Sequence, residues 1–164
     1  MSREVTRTLD DYSFECDGQP GKLNQIEIPF ITKPTRFLLV GTIKLIELRE
    51  HERWEPIASV SFARERMDWS SLQFYFTSRS PGKMTVRIIR SEFKKAQTET
   101  VIALEITNIP VPFSFEMFAD GRMVATVAGE TRNLLANPII PLHVALSCST
   151  GRFKFGSVSL VEEE

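Results

Sequence analysis

The sequence predicts an all-β protein: a two-sheet antiparallel sandwich of the jelly-roll kind, with about eleven strands and little helix. Two observations carry this prediction. Apolar and polar residues alternate along many short segments, as in residues 72–77, and turn-forming residues such as Asp120-Gly121 separate the segments. Alternation marks a strand with one buried face, because successive side chains of a strand point to opposite sides.

The expected strands have short connections. In chain order they cover residues 25–30, 36–48, 57–63, 72–77, 84–88, 98–107, 113–119, 123–127, 142–146, 152–155 and 157–161. The segment 36–48 is long for one strand, so we expect a bend or bulge at Gly41. Residues 49–54 and 130–136 have some helical character, and each is expected to form a short turn at most.

The sharpest local prediction is a hairpin in which residues 113–119 and 123–127 pair around Asp120-Gly121. Asp-Gly is a strong hairpin signal because both turn positions accept a positive φ. The alternation also identifies the inward side chains of the strands. We predict that the following apolar residues are buried: Phe74, Phe76, Val86, Ile88, Phe115, Val144, Leu146, Phe153 and Phe155.

Length and composition fit one domain over residues 1–164, because 42% hydrophobic and 25% charged residues are ordinary for a globular protein. With 20 basic and 21 acidic side chains, a nucleic-acid partner is not expected. No apolar run approaches the ~20 residues of a membrane span. The first residues lack the apolar segment of a signal peptide, so we expect a cytoplasmic protein as written, or a secreted one if the native N-terminus was removed.

The chain has two cysteines, Cys16 and Cys148, and two histidines, His51 and His143. They form no CxxC pair and show no metal-ligand spacing, so neither a metal nor another cofactor is predicted. Two buried or half-buried thiols are the favoured interpretation of the cysteines. A disulfide between an N-terminal segment and a late strand is the alternative, and the sequence does not decide between them.

Two segments in the last third of the chain carry a family resemblance. Residues 113–127 read as a strand ending in Asp-Gly that turns into a strand with Val-Ala-Thr, and residues 141–160 read as a strand, a Ser-Thr-Gly turn and a final strand with alternating Phe. Both resemble the concanavalin A-like lectin/glucanase superfamily, including its laminin-G-like domains. The resemblance implies a jelly-roll sandwich and leaves the function open, because the superfamily contains lectins, adhesion domains and glucanases.

Catalysis on such a fold needs two carboxylates, about 5 Å apart for a retaining glycosidase. The E-x-D-x-x-E strand pattern of laminarinase-type enzymes is absent. The nearest acidic group is Glu47, Glu50 and Glu52, whose segment is dense in both charge signs and is interpreted as a solvated loop. No catalytic residue is therefore predicted, and a glycoside hydrolase with unrecognised carboxylates is the weakest alternative.

Sugar binding needs an aromatic plate beside planar hydrogen-bonding groups. We predict that the outward, concave face of one sheet binds a carbohydrate through Tyr75, Arg87 and Glu116, with Gln73 and Glu105 as secondary members. The alternative interpretation is an ordinary solvated sheet face, on which Arg87 pairs with Glu105 or Glu116 across strands.

Two function classes follow from these observations. The first is a non-catalytic, lectin-like carbohydrate-binding sandwich. The second is a protein-interaction or oligomer-forming sandwich, which a long apolar strand such as 37–48 would favour if it lay exposed at a sheet edge. The sequence distinguishes neither a glycan from a protein ligand nor a monomer from an oligomer.

Overall fold

The computed structural model describes residues 4–8, 13–65, 68–79, 81–92, 95–135 and 142–164. Within these ranges the regular structure consists of strands, and no helix is present, so the all-β prediction is confirmed. The strands are β1 (Glu4–Thr8), β2 (Phe14–Pro29), β3 (Arg36–Leu48), β4 (Ile57–Glu65), β5 (Asp68–Tyr75), β6 (Lys83–Glu92), β7 (Lys95–Glu105), β8 (Val111–Phe118), β9 (Arg122–Val127), β10 (Glu130–Leu135) and β11 (His143–Glu163).

All described strand pairs are antiparallel, as predicted, and they follow the order β10-β9-β8-β3-β11-β4-β5-β6-β7. The first part of β11 lies between β2 and β4, and its second part has β3 on one side and β1 and the start of β2 on the other. On either side of β11 the sheet forms two halves, one with β4, β5, β6 and β7 and the other with β3, β8, β9 and β10. The 21-residue β11 belongs to both halves. The hydrogen bonding joins the strands in one continuous sheet and does not show the predicted two separate sheets.

Irregularities allow β11 to run through both halves. The predicted Ser149–Gly151 turn is instead a bulge within one strand, where Thr150 has a φ of 56°. A second bulge lies at Ser157, which has a φ of 48° and stands opposite Gly41. The bulge expected at Gly41 is thus present. The extra residue belongs to β11, since Ser157 and Val158 both lie opposite Gly41. Pro141, where the resembling segment begins, lies outside the described residues.

The predicted hairpin is confirmed, since β8 pairs with β9 from Phe113↔Val127 to Met117↔Met123. Its turn differs from the prediction, because Gly121 has a positive φ of 89° and Asp120 does not. The Gly121 N–H donates to the Phe118 carbonyl at 2.9 Å, as in a three-residue loop that ends in a left-handed glycine.

The next turn has positive φ at both central positions, Ala128 (48°) and Gly129 (86°). Such a two-residue loop suits a tight hairpin, and it pairs β9 with β10. The expectation of a helical turn after residue 129 is therefore wrong, because the described residues Glu130–Leu135 form strand β10.

The core lies between the two halves of the sheet. All nine residues predicted to be buried are buried, none with more than 4% of its surface exposed. Phe62 of β4 contacts Phe37 of β3 and Phe115 of β8, with ring centroids 5.1 and 5.5 Å apart. Strands of opposite halves thus share one aromatic core, which removes a large apolar area from water.

The two cysteines form a disulfide. Cys16 on β2 and Cys148 on β11 are both buried, and the bond links positions 132 residues apart. The favoured interpretation of two thiols was therefore wrong, and the alternative that joins an N-terminal segment to a late strand is correct. The reason is the strand order, because β2 pairs directly with β11 and sequence alone does not reveal that pairing.

Candidate functional site

The candidate site lies on the outer face of the half formed by β2, β11, β4, β5, β6 and β7. Paired residues of these strands form rows across the face. The central row reads Gln25, Ser147, Ser59, Gln73, Arg87 and Thr100. The rows on either side read Leu23, Ser149, Ile57, Tyr75, Thr85 and Ala103, and Glu27, Ala145, Ser61, Ser71, Ile89 and Thr98.

Four serines, Ser59, Ser61, Ser71 and Ser147, form the middle of this face, and we call them the serine floor. Their hydroxyls pair across strands, Ser59 with Ser147 at 2.6 Å and Ser61 with Ser71 at 3.0 Å. Ser71 and Ser147 are only 1% and 5% exposed although they point away from the core. Small side chains end close to the sheet, so the larger neighbours stand above them and the floor is recessed.

Three of the predicted site residues meet beside the serine floor. The Arg87 Nε donates a hydrogen bond to the Gln73 Oε1 at 3.0 Å. The Arg87 Cζ lies 4.3 Å from the centroid of the Tyr75 ring, within the range of a cation–π contact. Gln73 and Arg87 are directly opposite on β5 and β6. We call these three half-buried residues the Tyr-Arg-Gln cluster.

A bulge in β7 lies beside the cluster. The register shifts between Val86 and Arg87, so that Val101 is the extra residue of β7 and is buried there. Bulges re-aim side chains and often occur at functional sites. This one falls at the arginine of the cluster.

Glu105 is on the same face but outside the cluster. It lies opposite Lys83 on the edge strand β7, and its carboxylate is 3.7 Å from the Lys83 Nζ. Four positions along β6 separate Lys83 from Arg87, which is about 13 Å at the usual rise per residue. The expected pairing of Arg87 with Glu105 is therefore not formed.

The structure does not bring Glu116 to Tyr75 and Arg87. Glu116 is on β8, and strands β3, β11 and β4 stand between β8 and β5 in the sheet order. Its Oε1 accepts a hydrogen bond from the Arg36 Nε at 2.6 Å. Side-chain hydrogen bonds to Glu163 and Glu116 raise the pKa of Arg36. Glu116 thus belongs to an ion-pair group on the other half, and its expected pairing with Arg87 is wrong.

The serine floor and two neighbouring groups were not predicted as site residues. His143 lies at the β2 side of the face, where its Nε2 is 3.6 Å from the Glu27 carboxylate. Trp69 has the same parity on β5 as Tyr75 and is half-buried, about 20 Å further along the strand. Serine at alternate positions, as at Ser59 and Ser61, is the sequence signal that would have identified the floor.

Two further findings concern the described part of the chain. It contains no group of three or more His, Cys, Asp or Glu side chains arranged to hold a metal ion. It also has no helix with the length and apolar character needed to cross a membrane.

No protein-family model and no curated protein matches the sequence. Solved structures do match its fold. The chain is similar to a protein of unknown function with a galectin-like fold from Bacillus subtilis, at 9% identity and a TM-score of 0.60 over 99% of this chain and 89% of that one.

Two further structures carry sugar-related descriptions. The carbohydrate-binding module CBM66 from Bacillus subtilis matches at 10% identity and a TM-score of 0.54, over 93% of this chain and 92% of that one. A toad ovary galectin in complex with thio-digalactose matches at 12% identity and a TM-score of 0.53, over 83% and 97%. At these identities the likeness concerns the fold, which is one shared by carbohydrate-binding modules and galectins.

Proposed function

We propose that the protein is a non-catalytic, lectin-like glycan-binding domain whose site is the Tyr-Arg-Gln cluster and the serine floor beside it. The observation that carries the proposal is the cluster itself, in which a guanidinium is held at once by a hydrogen bond to Gln73 and by the Tyr75 ring. Groups held in place before binding lose little freedom when a ligand arrives. The fold shared with carbohydrate-binding modules and galectins supports the same function.

Each part of the site has a role that its chemistry suits. The Arg87 guanidinium donates to paired acceptor oxygens, and Gln73 supplies an amide beside it. One face of the Tyr75 ring is in contact with Arg87, so the flat guanidinium and the exposed part of the ring together form the stacking surface. The serine floor places four small, hydroxyl-bearing side chains beside the cluster.

The proposal includes a finer affiliation. The hairpin over residues 113–127 and the final strand resemble the concanavalin A-like superfamily and its two-sheet jelly rolls, and we assign the chain to that group on those residues. A solved experimental structure with a bound glycan would test the affiliation together with the site.

The other candidate functions receive less support. Glu27 on β2 and Glu105 on β7, the carboxylates that flank the candidate site, are five strand steps apart, or about 24 Å along the sheet. A glycosidase needs about 5 to 10 Å. A protein-interaction or oligomer-forming function would be favoured if the strand over residues 37–48 lay exposed at a sheet edge. Most of this strand is not at an edge, because Arg36–Ile43 pairs with both β8 and β11.

A glycan screen tests the proposed function. We expect the wild-type protein to bind at least one glycan on an array, and Arg87→Ala to weaken that binding about tenfold or more, since it removes a charged hydrogen-bond donor. The midpoint of thermal unfolding should stay nearly unchanged. Arg132→Ala is the matched control, because Arg132 is an exposed arginine on β10 of the other half. Equal binding by Arg87→Ala and wild type would exclude the site.

The disulfide bears on where the protein works. Disulfides persist in oxidising compartments and are rare in the reducing cytosol. We therefore favour the secreted alternative over the cytoplasmic one, on the ground that Cys16 and Cys148 are bonded in the core. A thiol titration of the protein taken from its native source, denatured without reductant, should find no free thiol, whereas two titrating thiols would favour the cytoplasm.

A further inference from the structure

We propose that the glycan is acidic and that Arg87 binds its carboxylate. This inference rests on the proposed function and adds to it the chemical class of the ligand. The Arg87 guanidinium has no carboxylate partner among the described residues. Its polar and ring contacts there are with the neutral side chains of Gln73 and Tyr75.

The other strand arginines with described side chains differ from Arg87 in this respect. Each forms an ion pair: Arg36 with Glu116 and Glu163, Arg90 with Glu92, Arg122 with Asp120, Arg132 with Glu130, and Arg152 with Glu15. Arg53 and Arg79 are unpaired in the described structure, but both are exposed in loops, where water solvates the charge. Arg87 is half-buried in a sheet and has neutral cross-strand neighbours, Gln73 and Thr100.

The geometry leaves the anion-binding edge of the guanidinium available. Arginine has five N–H donors, and the Nε–H is taken by Gln73. The four N–H groups on Nη1 and Nη2 have no partner among the described residues. Two parallel N–H groups match the two oxygens of a carboxylate, and this bidentate pairing is stronger and more directional than a hydrogen bond to a neutral hydroxyl.

Gln73 adds a second donor for the same anion. An arginine cannot accept a hydrogen bond, so Gln73 must present its carbonyl oxygen to the Arg87 Nε, and its amide NH₂ is then directed elsewhere. A carboxylate seated on the outer edge of the guanidinium can accept from that NH₂ as well. The Tyr75 ring adds a cation–π contact that helps to hold the guanidinium, whose Cζ lies 4.3 Å from the ring centroid.

The carboxylates of the face do not compete with this role. Glu105 is paired with Lys83, and Glu27 lies beside His143 at the opposite edge. The middle of the described face therefore carries one fixed positive charge, bordered by serine hydroxyls. That arrangement favours a sugar with one acid group and neutral hydroxyls around it.

The test compares matched probes by calorimetric titration: sialyllactose with lactose, and trigalacturonic acid with its methyl ester. We expect an acidic probe to bind at least tenfold more tightly than its neutral partner, and the difference to shrink as salt screens the charge. Arg87→Gln should remove the difference. Arg87→Lys should restore only part of it, because an ammonium lacks the planar fork and the stacking. Arg132→Gln should leave it unchanged.

The outcomes separate this inference from the proposed function. Binding of lactose or the methyl ester as tightly as of the acids, with loss in Arg87→Gln, would overturn the acidic ligand and keep the glycan site. No binding to these probes or to an array would overturn both. Sulfated lactose is included as a third probe. If it binds through Arg87 and neither carboxylic acid binds, the assignment of a carboxylate ligand is overturned.

Discussion

Removal of the Cys16–Cys148 disulfide is expected to destabilise the protein severely. The bond closes a loop with a sequence separation of 132 residues, and in the chain-entropy treatment a loop of that length stabilises the folded state by about 5 kcal/mol. Because the total stability of a domain is about 5–15 kcal/mol, the loss is a third of it or more. Both cysteines should be replaced by alanine, since a single change would leave a free thiol.

Equilibrium unfolding in guanidinium chloride measures the effect. With a slope of about 4 kcal/mol/M, a loss of about 5 kcal/mol moves the midpoint down by about 1 M. Wild-type protein unfolded and refolded under reductant is the control, and its midpoint should match that of the double alanine variant. Reductant added to the native protein should act slowly, because both sulfurs are buried.

Two results would refute this reasoning. If wild-type protein purified without reductant shows two free thiols on denaturation, the bond is not formed. If it shows none and the double variant still unfolds at the wild-type midpoint, the bond is formed but the loop it closes contributes nothing, and the chain must already be constrained in its unfolded state.

Three further substitutions test the fold. Phe115→Ala should cost about 3–5 kcal/mol in a denaturant titration, because the ring is fully buried; a loss below about 1 kcal/mol would mean that the strand face is misassigned. Gly121→Ala should cost about 1–2 kcal/mol, since the residue has a φ of 89°, and an unchanged midpoint would argue against this turn. Glu162→Ala should cost about 1–3 kcal/mol, because its buried carboxylate accepts the Ile31 and Thr32 N–H groups; full stability would show that water replaces it.

Much of the local structure was predictable from the sequence. The parity of the strands identified the buried residues, from Phe74 to Phe155, because alternation in a strand depends only on the residues of that strand. The hairpin at Gly121 was predictable for the same reason, since its turn chemistry lies within a few residues. The same parity placed Tyr75, Gln73 and Arg87 on an outward face.

The tertiary structure decided what depends on strand order. The parity of β8 predicts which face of the strand Glu116 lies on. It does not predict that β8 pairs with β3 and is separated from β5 by three strands. The disulfide required β2 to pair with β11, and the predicted turn at Ser149–Gly151 became a bulge because β11 has partners on both sides of that point. The pairing of distant segments is set by how all strands pack around one core, and no short stretch of the chain contains that information.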